Sequence, residues 1–335
     1  MIKKYNCPGC GADMAYDPAL NKLSCSHCGF SEPVMPDDDG NKEEGPGDFG
    51  EAYEYHCPNC GSILVTDEKT SSVTCEYCQA PLVLCDRLAG NYRPQKIIPF
   101  KIDKKAAKAA FKKWCHNGWF APAAFMKSGN ISKLHGTYVP YWLFHVKAHA
   151  TVSGTATKVH VSRRGDTEYI KTSYFRVFRE GEMEFANVPH DASERMPDEE
   201  MAKLEPYRFS EIKTFAMPYL AGFDSSQYDY EDGQLYPEVK ERLAPGAVGR
   251  LRQTFPAYTT VELSVQNVDF MDLGNEYALL PVWSLSTVYK GKEYRFMMNG
   301  QTGRVVGRSP VSAGKIAIFG AAVSILCFAI LMIVG

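Results

Sequence analysis

Eight of the eleven cysteines in this 335-residue chain fall into two copies of one pattern, and that pattern limits what the amino-terminal part can fold into. Cys7, Cys10, Cys25 and Cys28 form C-x2-C, fourteen intervening residues and C-x2-C. Cys57, Cys60, Cys75 and Cys78 repeat the arrangement at an offset of fifty at every position. Two cysteines two residues apart let a tight turn aim both sulfurs at one point, with Gly11, Gly29 and Gly61 placed to take the left-handed backbone such a turn requires. The interval suits a short hairpin that brings the second pair to face the first. Four thiolates converging tetrahedrally make a structural zinc site, closed because no coordination position is left for water or substrate. The expected cofactor is Zn2+, in two four-cysteine sites.

A disulfide framework would need an oxidising compartment and a signal peptide. The start, Met-Ile-Lys-Lys-Tyr-Asn-Cys, has no apolar stretch ahead of Cys7. His27 and His56 lie beside ligand cysteines and read as neighbours, since each set already has four thiols. Cys85, Cys115 and Cys327 follow no spacing rule and read as buried or membrane-facing apolar residues. Each ribbon is too short to bury a stable apolar core, so metal binding supplies most of its folding free energy.

Zinc ribbons often bind nucleic acid, and charge tests that reading. Residues 1–86 hold five lysines against fifteen acidic side chains, −10, while the remainder carries +8 of the overall −2. Four thiolates around a dication make each site more negative still. A phosphate backbone is repelled by such a surface. Much of the acid lies in "MPDDDGNKEEGPGDFGEAYE", Met35–Glu54, a Gly- and Pro-containing run with little apolar content. It reads as a flexible linker, 34–54, between ribbon 1 (1–33) and ribbon 2 (55–86).

The carboxyl-terminal end has the opposite character. Residues 316–335, "IAIFGAAVSILCFAILMIVG", contain no charge. Twenty residues of helix cover about 30 Å, the hydrocarbon thickness of a bilayer. The segment 311–335 is therefore expected to be a transmembrane tail anchor. Arg304, Arg308 and Lys315 precede it, which puts the bulk of the chain in the cytoplasm by the positive-inside rule. Reduced, metal-binding cysteines agree with that compartment. Gly320 and Ser324 form a small-xxx-small pair compatible with homo-oligomers.

The middle region, 87–310, is long enough for one or two domains. In "DKKAAKAAFKKWCHNGW", Asp103 caps a helix with Ala106, Ala107, Ala110, Phe111 and Trp114 as its apolar stripe and Gly118 as its end; five lysines occupy the other side. That face is either solvated or laid on anionic lipid headgroups. Strand alternation dominates from Gly136 to Val188, with a turn at Gly181, and returns from Ala257 to Gly307 with turns at Lys290–Lys292 and Asn299–Gly303. Helical stretches are expected at Ser193–Leu204 and Pro237–Arg252, the second broken at Pro245-Gly246. "YVPYWLFHVKA" and "LLPVWSLSTVY" echo one another, aligning Pro140 with Pro281 and Trp142 with Trp283, as two related subdomains would. His135, His145, His149 and His160 lie close in sequence but have no carboxylate or cysteine at ligand spacing, and read as ordinary sheet residues. There is no phosphate loop, H-E-x-x-H, nucleophile elbow or dinucleotide fingerprint. No catalytic residue is nominated and the chain is not expected to be an enzyme.

The paired ribbons, "LHGTYVPYWLF", "MPYLAGFDSSQYD" and "LLPVW…YKGKEYRFMMNGQTGRVVGRSP" with its apolar tail together resemble the bacterial TFIIB-type zinc-ribbon membrane proteins, over most of the chain. Members have been labelled similar to the replication-restart helicase, primosomal protein N′, but this chain lacks the phosphate-binding loop. Some members occur beside phage-shock-protein-A-like and flotillin-like proteins. The resemblance implies a membrane-anchored adaptor that recruits cytoplasmic protein partners of that type in a membrane-stress setting. The alternative is a membrane-tethered nucleic-acid-binding factor. The expected fold is α+β: two zinc ribbons, a β-rich region with mainly antiparallel sheet, and one transmembrane helix.

Overall fold

The computed structural model describes residues 2–35, 53–117, 122, 134–307, 310 and 312–334. Most of the acidic linker, Gly118 and Arg308 lie outside the described residues. The chain divides into two compact units, 1–140 with 193–228 and 278–335, and 141–192 with 229–277.

The first unit holds both ribbons. β2 (Met14–Asp17), β3 (Lys22–Cys25) and β4 (Ser31–Pro33) form a three-stranded antiparallel sheet, with Met14 opposite Cys25. β5 (Tyr53–His56) pairs with β6 (Ile63–Thr66), and β7 (Thr70–Thr74) with β8 (Pro81–Leu84). β1 (Ile2–Lys3) crosses from the first ribbon to the second, pairing Ile2 with Leu84. On its other side β7 pairs with β13 (Asp224–Ser226). Buried serines hold that seam: Ser71 Oγ and Ser225 Oγ are 2.6 Å apart, and Ser72 donates to the Phe223 carbonyl at 2.7 Å. Ribbon 1 is tied in through Tyr16, whose amide donates to the Ala221 carbonyl at 2.9 Å and whose ring meets Tyr219 edge-on at 5.2 Å.

The same sheet continues through the start of β10 (His135–Arg164), which runs parallel to β13, while the end of β14 (Thr260–Tyr289) carries β15 (Lys292–Asn299) and β16 (Val305–Gly307). The core is aromatic. Phe100 stacks on Phe223 at 4.2 Å and meets Tyr138 and Trp283 edge-on at 5.0 and 5.2 Å. Burying each large apolar side chain stabilises by roughly 1.5–3 kcal/mol. Two glycines make room: a Cβ on Gly300 would lie 2.5 Å from the Phe100 ring, and one on Gly136 would lie 2.7 Å from Phe223. α1 (Lys104–Asn117) is capped as expected, Asp103 Oδ1 accepting the Ala106 amide at 2.6 Å. It buries Ala107, Phe111 and Cys115, with Phe111 edge-on to Phe296 at 5.1 Å. Within the expected helix of 193–204 only α2 (Asp198–Leu204) is helical.

The second unit is a sheet of three long strands with one helix on it. Residues 141–164 of β10 pair antiparallel with β11 (Thr167–Asp191) around a turn at Gly165, and β14 flanks β10 on its other side. α3 (Asp232–Gln253) lays Ala247 and Leu251 on Ala148, Ala150 and Val152. Two local expectations are corrected here. Gly181 is not a turn but sits inside β11 opposite Ala150, under Leu251. Pro245-Gly246 does not break α3, because the apolar contacts of Ala247 and Leu251 hold the last turns on the sheet and a capping box between Glu231 and Gln234 fixes the first.

The transmembrane helix is also corrected. α4 spans Ala313–Val334, yet among the described residues no helix is long and apolar enough to cross a membrane. The fold class is therefore two amino-terminal four-cysteine modules and a β-rich body, with no helix among the described residues long and apolar enough to cross a membrane.

Candidate metal centres

Each ribbon is built from two turns of one kind, and all four turns share the same backbone hydrogen bonds. The Cys7 amide donates to the Ala12 carbonyl at 2.8 Å and the Gly11 amide returns to the Cys7 carbonyl at 2.9 Å. The pattern recurs for Cys25 with Phe30 and Gly29, Cys57 with Ser62 and Gly61, and Cys75 with Ala80 and Gln79. Closing each turn takes a positive φ at the residue after the second cysteine: 71°, 76° and 73° at Gly11, Gly29 and Gly61, and 62° at Gln79. The fourth turn thus puts a side-chain-bearing residue where the other three have glycine.

The turns bring together all eight cysteines singled out in the sequence. Within each set the ligand atoms lie within 4.8 Å of one another. Cys7 and Cys28 sulfurs are 3.4 Å apart and Cys10 and Cys25 3.6 Å; Cys57–Cys78 and Cys60–Cys75 are 3.6 and 3.9 Å. A tetrahedron of Zn–S bonds of about 2.3 Å has edges of about 3.8 Å. A disulfide needs about 2.05 Å, and none of the eleven cysteines is in one. Both sets are therefore of a shape and donor type able to hold a metal ion such as zinc. Cys25 in the first set, and Cys60 and Cys75 in the second, are drawn toward the thiolate. The Cys28 amide, with that of His27, draws the Cys25 thiol down to about 6 against the opposing effect of burial. The Cys78 amide and the Ser62 hydroxyl do the same for Cys75, also to about 6.

In each set one cysteine of each pair is buried beneath the ribbon, Cys7 with Cys25 and Cys57 with Cys75, and Cys57 and Cys75 share an apolar cluster with Leu64, Ala80 and Leu82. The outer face of β6 is different. Ile63 and Val65 are 53% and 67% exposed, opposite His56 and Glu54. These residues had been passed over in the sequence, where "ILVT" signals only an alternating strand.

The histidines do not converge. His135 Nε2 lies 3.2 Å from Ser284 Oγ, His145 pairs with Glu276 at 3.7 Å and His149 with Glu180 at 3.1 Å. Among the described residues only the two cysteine sets form metal-ligand groups. On α1, Lys104, Lys105, Lys108 and Lys112 line an open cavity of about 550 Å³. Burial, with Lys108 close by, lowers the Lys104 ammonium's pKa against the pull of Asp224. Asp224 is itself raised by burial, which outweighs His135 and Lys104.

Over 321 residues the chain is 44% identical to a Bacillus subtilis (strain 168) protein named "Uncharacterized protein YdjG", an alignment that covers 95% of this chain and 93% of that protein. The chain belongs to the YdjG family. An alignment of 321 residues extends far beyond the two ribbons. No protein-family model matches the chain, and no solved structure matches it.

Proposed function

We propose that the chain is a zinc-ribbon adaptor, with one structural Zn2+ in each four-cysteine set, that binds a protein partner through the outer surface of its ribbons. The observation that carries this is the outer face of β6 at Ile63 and Val65: exposed apolar residues set in a segment of charge −10. Apolar anchors with an acidic surround suit a protein that offers a basic rim around an apolar patch. A closed site with four thiolates supports structure, not catalysis. The resemblance to TFIIB-type zinc-ribbon proteins supports the same reading and suggests partners of the phage-shock-protein-A-like or flotillin-like type. An inner-membrane setting would rest on the lysine face of α1 against anionic lipid, with no membrane-crossing helix involved.

The test is affinity purification of the full chain beside Ile63→Glu/Val65→Glu, with metal content measured on both. Loss of the same partner from the double variant at unchanged zinc content is the expected result. An unchanged partner set would remove this face from the proposal. The competing reading, a nucleic-acid factor, makes the opposite forecast: DNA binding in the roughly 10⁻⁴ to 10⁻⁶ M range typical of non-specific binders at physiological salt, where the ribbons' charge leads us to expect none.

A further inference from the structure

The second unit ends in a strand edge that, among the described residues, no other strand covers. β11 pairs with β10 over its whole length and, among the described residues, with no other strand. Natural edges of this length are blunted by proline, a bulge or charged side chains, and between Thr167 and Phe185 this one has only the last. From Thr167 to Phe185 β11 has no proline, and its register against β10 is unbroken. α3 covers one face only: Met183 and Phe185 pack toward it and Val177 is buried. Even-numbered residues therefore point to the open face, where Ile170, Tyr174 and Phe178 are 66%, 75% and 55% exposed.

We infer that this edge pairs with the same edge of a second copy of the chain, antiparallel and centred on Phe178. A two-fold axis normal to the sheet keeps each residue on its own face only if paired numbers share parity, so the permitted registers are few. Centring on Phe178 puts that ring against its mate and sets Arg176 of each copy opposite Glu180 of the other, two ion pairs from one contact. Tyr174 then faces Glu182, and on the α3 side Val177 faces Arg179. Centring on Arg176 or Arg179 instead opposes two guanidiniums. Glu180 already takes His149 at 3.1 Å, but a carboxylate accepts several donors and can take Arg176 as well. The occupant is thus chosen by the charge order of the strand itself. This goes beyond the adaptor reading and does not depend on it: the surface is far in sequence from the ribbons and would double their number per assembly.

Sedimentation of the full chain across a concentration series, with zinc content and circular dichroism as checks of folding, tests the inference. A concentration-dependent dimer is expected. Arg176→Glu and Glu180→Arg each place like charges opposite one another twice and should weaken the dimer by tenfold or more. The double swap should restore it to within about threefold of the original. Phe178→Cys should cross-link to itself on oxidation. A monomer at every concentration, or a dimer indifferent to both single changes and to the swap, would overturn the proposal. If a charge variant misfolds, the Phe178→Cys cross-link decides, and its failure in a folded dimer counts against this register.

Discussion

At the scale of single residues, the fourth turn of the ribbons is the clearest place to intervene. Gln79 holds a φ of 62° that glycine takes in the other three turns, and its side chain returns only one bond, to the Glu76 carbonyl at 3.0 Å. A left-handed residue with a Cβ costs roughly 1–2 kcal/mol, partly offset by the larger entropy glycine loses on folding. Gln79→Gly should therefore stabilise ribbon 2 by up to about 1 kcal/mol, seen as higher resistance to chelator-induced unfolding. Asp224 offers a test with pH. Its folded pKa is raised above the unfolded value, chiefly by burial, so it favours the fold when protonated and that contribution is lost as pH rises through the folded pKa. Asp224→Asn should melt higher than the parent near neutral pH, with the difference shrinking toward pH 4. A constant difference across that range would show that hydrogen bonding and not ionisation governs the site.

At the scale of elements, the question is which strands the ribbons share with the body. β7 and β8 are ribbon strands that hold Cys75 and Ala80 at their ends, yet β7 pairs with β13 and β8 with β1. Cys75→Ser should then cost more than one metal ion. Loss of zinc from the second set is expected to lower the melting temperature of the whole first unit by about 5 °C or more, where an isolated bead would leave it unchanged. The two four-cysteine clusters were legible in the sequence because the geometry of such a site fixes the spacing of its cysteines. The seam to β13 was not: "TSSVT" and "DSS" are short and polar, and what pairs them is a set of buried serine hydroxyls that meet only in three dimensions. Gly181 and Pro245 were misread for the converse reason. Each has a strong local preference, and in each case the packing between α3 and the sheet overrides it. The lysine side of α1 was read correctly as a helix face. Its use remains a matter for binding data: changing Lys104, Lys105, Lys108 and Lys112 to Glu should abolish any salt-sensitive association with anionic vesicles, and an unchanged association would place lipid contact elsewhere.

At the scale of the whole molecule, two metal ions per chain are expected from the pair of four-cysteine sets, with all eight ligands protected from alkylation until a chelator is added. One ion, or none in a freshly reduced sample, would count against the proposed cofactor. The seam between β7 and β13 has a further consequence during synthesis, when the chain emerges from its amino-terminal end. All eight cysteines leave the ribosome before the body, and on the proposed zinc reading they would take up metal and order the ribbons while most of it has yet to be made. Until Asp224 appears, however, β7 has an open edge and the serines that belong in the seam stand in water. The nascent chain must keep a metal-loaded but half-finished sheet from pairing with its neighbours on the polysome. The charge of −10 on residues 1–86 opposes such pairing.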